Sequence, residues 1–343
     1  MVKLAEDLRV DPRIKALLGH LPQLPPAGDA ASRDQQLAEE DTDAAREGWA
    51  QFKALFGAND TEATAPSAGL AMRTVEFVSQ PDGNRIKAHV IRPQGEAVLP
   101  GVVYLHGGGM TSLSAFDGQY RAWGRIVAAE GLAVVMVDFR NALVASSARE
   151  VAPFPAGLND CVSGVRWVHA NAATLGIDPA RIVVAGESGG GNLTLATGLK
   201  LKRGGELGLI KGLYAMCPYI AGEWPQARYP SSLNNFGILG DLHNNRAAMA
   251  YGIEAFRAQD PLAWPAFASD DDLRGFPPTV ISVNECDPLR DEGIDFYRRL
   301  LAVGAPARCR QVMGTLHATE IFAMACPDIS RDTASHLANF ARR

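Results

Sequence analysis

Cysteine is scarce in this chain, and none of it falls in a pairing pattern. The 343 residues contain five: Cys161, Cys217, Cys286, Cys309 and Cys326, far apart and without C-x-x-C spacing. An odd count at such separations argues against a disulfide framework and a cysteine-based zinc site. Reduced thiols in a cytoplasmic protein are expected instead. No run of about 18 uncharged apolar residues occurs, so no membrane span is expected. The opening segment carries Glu6, Asp7, Arg9, Asp11, Arg13 and Lys15, which does not fit a secretory apolar core. Lys and Arg total 33 against 38 Asp and Glu, a net charge of −5. With no dense basic run to offset that balance, nucleic acid is not an expected partner. Internal repeats are absent, as are the G-x-x-x-x-G-K-[ST] and G-x-G-x-x-G phosphate loops.

What remains is the composition of a globular domain, with 47% hydrophobic and 21% charged residues. The length suits one large α/β domain with an insertion, or two average domains. After a proline-rich stretch, LPQLPPAG, a helix is expected over about Ser32 to Phe56. Ser32 would be its N-cap and Gly57 its stop, with Leu37, Trp49, Phe52, Leu55 and Phe56 as its apolar positions. A small-residue linker, ANDTEATAPSAG, follows. RTVEFVSQ, the turn PDGN and RIKAHVIRP then read as a β-hairpin.

Short apolar runs come next, VVYL, LAVVMV and IVVAG, and the strand-like segments GLYAM, TVISV and RCRQV follow later. They alternate with helical segments near 119–130, 156–175, 190–203, 290–303 and 330–342. Strands alternating with helices imply βαβ units and a mostly parallel, eight-stranded sheet flanked by helices. Almost 60 residues after CPYI break this rhythm with EWPQARYP, NNRAAMAYGIEAFRA and DPLAWPAFAS. The resulting divisions are an N-terminal helical segment and linker at 1–68 and a first core part at 69–220. A cap insertion at 221–268 and a second core part at 269–343 follow. Trp49, Phe52 and Phe56 are expected to pack the N-terminal arm, and Trp224, Phe236 and Trp264 to line or support a covered pocket.

The chemistry centres on Gly186-Glu187-Ser188-Gly189-Gly190, a G-x-S-x-G sequence after a strand and before a helix. That context makes Ser188 a nucleophile on a tight turn, with the unpaired N–H groups of the helix start nearby. His106-Gly107-Gly108-Gly109 follows VVYL. The amides of Gly108, Gly109 and Gly189 are expected to hold a developing oxyanion, with His106 orienting the loop. A serine needs a base. Of seven histidines, only His317 directly follows a late strand. The acid partner comes from VISVNECDPLRDEG: Asp287 at the strand's end, with Glu285 as competitor. Asp291, Glu292 and Asp295 are expected to be solvated or capping. The order Ser188, Asp287, His317 is that of α/β-hydrolases.

HGGG, the G-[DE]-S-x-G-G elbow, DPLRDEG and the late histidine together resemble the hormone-sensitive-lipase family of α/β-hydrolases. HGGGM, VVMVDFRNA, PFPAGLNDC and NECDPLRDEGI are similar to segments of a bacterial esterase branch of that family. The resemblance implies an α/β-hydrolase fold with a helical cap and a carboxylic ester hydrolase with no cofactor and no metal. A covered pocket limits acyl length, so short-chain or small cyclic esters are the expected substrates. Two departures stand out: Glu187 and Gly189 in the elbow where many members have Asp and Ala, and Ala-Thr after His317 in place of Gly-Phe. An amidase or peptidase, a dehydratase and a non-catalytic small-molecule receptor stay open on the same fold. So do the oligomeric state, a homodimer included, and the natural substrate.

Overall fold

Eight strands form one sheet: β1 (Leu70–Val78), β2 (Arg85–Pro93), β3 (Leu99–Leu105), β4 (Ala133–Val137), β5 (Ile177–Glu187), β6 (Gly212–Met216), β7 (Thr279–Asn284) and β8 (Ala307–Val312). The structure, a computed structural model, describes residues 4–20, 27–237 and 242–343. Most of the proline-rich stretch, 21–26, and insertion residues 238–241 lie outside the described residues. Strand order is β1-β2-β4-β3-β5-β6-β7-β8. The expected hairpin pairs β1 with β2 antiparallel, and β2 meets β4 antiparallel. All pairings from β4 through β3 to β8 are parallel.

The helices are α1 (Pro12–Leu18), α2 (Arg33–Glu40), α3 (Asp43–Gly57), α4 (Gly118–Ala129), α5 (Ala156–Ala170), α6 (Ala172–Leu175), α7 (Gly189–Arg203), α8 (Ser231–Asn234), α9 (Arg246–Arg257), α10 (Asp270–Leu273), α11 (Arg290–Ala302) and α12 (Pro327–Arg342). None among the described residues is long and apolar enough to cross a membrane.

Continuous apolar runs suit the inner strands because both sheet faces are covered. The two-residue period sorts the side chains between two cores. Val103, Leu105, Val135, Val137, Ile182 and Val184 pack with α5, α7 and α11. Val102, Tyr104, Val134, Met136, Val183 and Ala185 pack with α4 and α12. Burying each such aliphatic side chain stabilises by roughly 1.5–3 kcal/mol. All five cysteines are unpaired thiols, four of them buried.

The helix expected over 32–56 is two helices. Ser32 does cap the first, accepting from the Gln35 amide at 3.0 Å. The chain breaks at Asp41 and restarts where Thr42 accepts from the Ala45 amide at 3.1 Å. Two local caps satisfy the orphan amides that one continuous helix would have bonded internally. Gly57 is the last residue of α3 rather than its stop.

The parallel pairing of β3 with β5 sets where the site falls. Leu105 is in register with Gly186, so the segments leaving both strands emerge side by side. There the elbow presses on the end of β3. A Cβ on Gly190 would stand 2.0 Å from the Leu105 carbonyl oxygen, and one on Gly189 2.8 Å from the Gly109 Cα. Gly190→Ala is expected to lower stability by about 1–3 kcal/mol through overpacking against backbone that cannot yield. Urea unfolding measures this, and an unchanged midpoint would mean the two segments are not so tightly apposed.

Candidate active site

Ser188 is the turn between β5 and α7, with φ 58° and ψ −120°. A non-glycine residue there is strained, typically by about 1–3 kcal/mol, and the surroundings must impose it. They do so by hydrogen bonds: the Ser188 amide donates to the Met216 carbonyl at 3.0 Å, and the Ser188 carbonyl accepts from Tyr219 at 3.1 Å. The serine is thereby pinned to the end of β6 on its far side.

Opposite it, Gly108 and Gly109 have φ of 94° and 61°. A Cβ on Gly108 would stand 2.3 Å from the Ser112 carbonyl oxygen, so only glycine fits that bend. Among the described residues, no acceptor engages the amides of Gly108, Gly109 or Gly189. The Gly189 amide also opens α7, where the helix dipole favours negative charge. His106 is fully buried beside the loop. Its Nδ1–H donates to the Gly107 carbonyl at 2.9 Å, and its ring stacks on Phe139 at 4.1 Å. Burial pushes this imidazole below its usual range, toward the neutral form.

The loops after β7 and β8 bring the remaining pair together. His317 Nδ1–H donates to Asp287 Oδ2 at 2.8 Å. The other Asp287 oxygen accepts from the Leu289 amide at 2.9 Å. Glu285, the competitor, is turned elsewhere: it accepts from the Gly314 amide at 2.7 Å. Burial pulls His317 toward neutrality. The Asp287 carboxylate opposes this by charge and hydrogen bond, with smaller help from Glu187 and Glu320, and the imidazole ends above its ordinary 6.5. With Nδ1 committed to Asp287, Nε2 is the nitrogen left to accept a proton.

Ser188, His317, Gly108 and Gly109 line one cavity of about 470 Å³. Its walls are mostly apolar, and more of them come from the N-terminal arm than from the insertion. Ile14, Leu17 and Leu18 of α1 and Trp49, Phe52, Leu55 and Phe56 of α3 face it, as does Phe322. The α3 positions form an amphipathic stripe, but none is fully buried in a core. Leu55 is 37% exposed. The rings run in contact from Trp49 through Phe52 and Phe56 to Phe322, with centroids 5.8, 4.4 and 4.5 Å apart.

From the insertion, only Leu242 reaches the lining among the described residues. Trp224 and Trp264 stand behind the lining residue Tyr219, at 4.5 and 5.9 Å, and so support the wall. Phe236 stacks on His243 at 3.9 Å and is not among the lining residues.

Two expectations about acidic residues change. Glu292 is neither solvated nor capping: it is 1% exposed. It accepts from the amides of Ile220 and Ala221 at 2.7 and 3.1 Å and from Trp224 Nε1 at 2.6 Å. Burial pushes its carboxyl up to about 8. Glu187, read only as a motif position, is also fully buried and contacts the glycine loop. The signal available in the sequence was its place at the end of an apolar strand, where a carboxylate is costly.

One trio has the donor types of a metal site: Cys217, Asp287 and His317 have potential ligand atoms within 4.8 Å of one another. Burial holds the thiol well above its usual range, and both Asp287 oxygens are already hydrogen-bonded. A neutral thiol behind a committed Asp–His pair is a poor metal ligand set.

A mostly parallel α/β sheet with a strained serine turn, an opposed glycine loop and an Asp–His pair at one edge defines a hydrolase of the α/β type. The chain belongs to the family described as having the alpha/beta hydrolase fold, whose profile matches residues 102–321. It is 31% identical to carboxylesterase NlhH of Mycobacterium tuberculosis (strain ATCC 25618 / H37Rv) over 258 residues, 71% of this chain and 74% of that one. Among solved structures, esterase Est22 with p-nitrophenol superposes with a TM-score of 0.97 at 59% identity, covering 99% of both chains. Brefeldin A esterase, a bacterial homologue of human hormone-sensitive lipase, gives 0.86 at 38% identity. That match covers 98% of this chain and 94% of the other.

The pH dependence follows from His317. The imidazole must be neutral to accept a proton, so kcat/KM is expected to rise with pH, with its inflection above 6.5. Asp287→Asn removes the main force raising that value and leaves burial in place. The inflection then moves to lower pH while kcat falls by about 10⁴-fold. A wild-type inflection below 6.5 would show that burial outweighs Asp287.

Proposed function

We propose that this protein is a serine carboxylic ester hydrolase that turns over short-chain or small cyclic esters through an acyl-enzyme. The observation that carries the reading is the shared cavity. Ser188 at its strained turn and His317, bonded to Asp287, face the same apolar space as the uncommitted amides of Gly108 and Gly109.

In the reaction so read, His317 Nε2 takes the Ser188 proton as the oxygen attacks the ester carbonyl. Asp287 holds the ring and stabilises its charged form. The amides of Gly108, Gly109 and Gly189 receive the oxyanion, each donor worth about 3–4 kcal/mol. The protonated His317 then gives its proton to the leaving alcohol. Water, activated by the same nitrogen, releases the acid in a second round. The esterase names of the relatives support esters over amides as the substrate class.

Residues 1–68 and 221–268 are read as a joint cap over this edge. The N-terminal arm docks beside the His317 loop, with Asp11 N–H donating to Gly314 at 2.9 Å and Arg13 paired to Asp328 at 2.8 Å. It also docks on the insertion, with Gln36 Nε2 donating to the Arg246 carbonyl at 3.1 Å. An apolar cavity closed in this way favours acyl chains of about two to six carbons.

Ser188→Ala is expected to cut turnover of a short p-nitrophenyl ester by about 10³-fold or more. Retention of more than about a tenth of wild-type activity would sink the mechanism. Phe52→Ala, which widens the cavity without touching the sheet, is expected to flatten the dependence of kcat/KM on acyl chain length. An unchanged profile across a p-nitrophenyl ester series would mean that the α3 face takes no part in substrate selection.

A further inference from the structure

Glu187 is the buried ionisable group closest in sequence to the nucleophile, and the acyl-transfer scheme gives it no task. Its side chain is 1% exposed. One carboxylate oxygen, Oε1, accepts from the Gly107 amide at 2.6 Å and from the Tyr120 hydroxyl at 2.8 Å. The other, Oε2, accepts from the Tyr104 hydroxyl. The Gly107 amide is shared, for it also lies 3.0 Å from the Tyr120 oxygen. The carboxylate, the phenol and the amide therefore close a triangle, with Tyr104 holding the remaining corner.

Three features of this network bear on catalysis. Its hydrogen-bond partners are all neutral, although a buried carboxylate is far cheaper to keep beside a cation. A cation here would compete for the negative charge that the glycine loop is placed to receive. Burial holds both phenols well above their usual range, so they stay neutral donors. Burial also pushes the carboxyl itself up to about 7, against the pull of these donors. Next, the network grips Gly107, whose two successors, Gly108 and Gly109, bend through positive φ. Glycines in such a bend have little rotational restraint of their own. Last, the gripping side chain is attached to the residue directly before Ser188. One side chain thus spans from the nucleophile's backbone to the donors' backbone, with no room for anything between: a Cβ on Gly107 would stand 2.5 Å from Glu187 Oε1.

We propose that Glu187, with Tyr120 and Tyr104, is the positioning clamp of the oxyanion loop. It fixes the Gly108 and Gly109 amides relative to Ser188 Oγ, and its contribution is realised only when the carbonyl oxygen becomes an oxyanion. This inference rests on the serine acyl-transfer reading above. It assigns Glu187 no contact with the substrate and no proton transfer.

The test compares wild type with Glu187→Gln, Glu187→Leu and Tyr120→Phe. Glu187→Leu removes every acceptor and is expected to lower kcat by about 10²-fold, with KM changed by no more than about twofold. Tyr120→Phe removes one corner of the triangle, and a loss of about tenfold is expected. Glu187→Gln keeps an amide oxygen for Gly107 and is expected to restore most of the rate.

The decisive readout is a pair of inhibitors on one carbon skeleton, a trifluoromethyl ketone and the matching methyl ketone. The activated carbonyl carbon bonds to Ser188 Oγ, the serine proton passes to His317, and the oxyanion settles in the loop. The methyl ketone binds without that charge. The clamp requires the trifluoromethyl-to-methyl affinity ratio to fall in step with kcat, with methyl ketone affinity unchanged. If wild type itself shows no preference for the trifluoromethyl ketone, the acyl-transfer reading falls and the clamp falls with it. If wild type discriminates and the folded Leu and Phe variants discriminate equally well, only the clamp is overturned. Equal losses on both ketones also overturn it, since they indicate general damage to the cavity. Should Glu187→Leu fail to fold by circular dichroism, Tyr120→Phe alone decides.

Discussion

Two backbones meet at the C-terminal edge of the sheet with no side chain between them. The start of α7 lies against the end of β3 so closely that a single methyl group at residue 190 would sit inside the Leu105 carbonyl. Much else at this edge follows from that contact. The turn at Ser188 must be sharp enough to place α7 there, which drives the serine to positive φ. The strain is held by hydrogen bonds to β6 and to the residues that follow it. The same approach sets Gly189 beside Gly109, so two distant segments meet next to Ser188.

The second constraint is electrostatic. Four carboxylates, Asp287, Glu187, Glu292 and Glu320, are 1% exposed or less near this edge. Isolated, each would cost several kcal/mol to bury. The chain surrounds them with backbone amides, phenols, an indole and an asparagine: Leu289 for Asp287, Gly107 with two tyrosines for Glu187, Ile220, Ala221 and Trp224 for Glu292, and Asn284 for Glu320. Dipoles held in place favour the charged form, against the burial that pushes Glu187 and Glu292 up. The charges of Asp287, Glu187 and Glu320 raise the proton affinity of His317. Glu292 has a mechanical consequence as well, because its partners Ile220 and Ala221 span the junction of core and insertion and its third, Trp224, stacks behind Tyr219.

Closure of the site comes from segments with little core of their own. Helix α3 has no fully buried residue, and α1 has one, Ile14. Their apolar stripes are satisfied by the cavity and by the loops after β7 and β8, where Val10 and Ile14 meet Cys286, Leu316 and Cys326. Such elements belong to the less stable end of a protein's local unfolding range.

Composition and period alone determined the sheet, its flanking helices, the hairpin and the strand ends. Parallel strands buried on both faces must be continuously apolar, and glycines must mark the turns that leave them. The same logic picked out Ser188, His317 and the glycine loop, because each follows a strand and the parallel topology puts such positions on one edge. Sequence favoured Asp287 over Glu285 by position, and only the tertiary structure shows which carboxylate meets His317. Both follow β7 within three residues of its end, and only the path of the loop turns one carboxylate toward His317 and the other toward Gly314. It also decided that the arm, rather than the insertion's tryptophans, walls the cavity, and that Glu187 and Glu292 are buried. A sequence records which residues are polar or amphipathic. Whether a carboxylate meets water or a ring of donors, and whether an apolar stripe meets a core or a cavity, depends on partners far away along the chain.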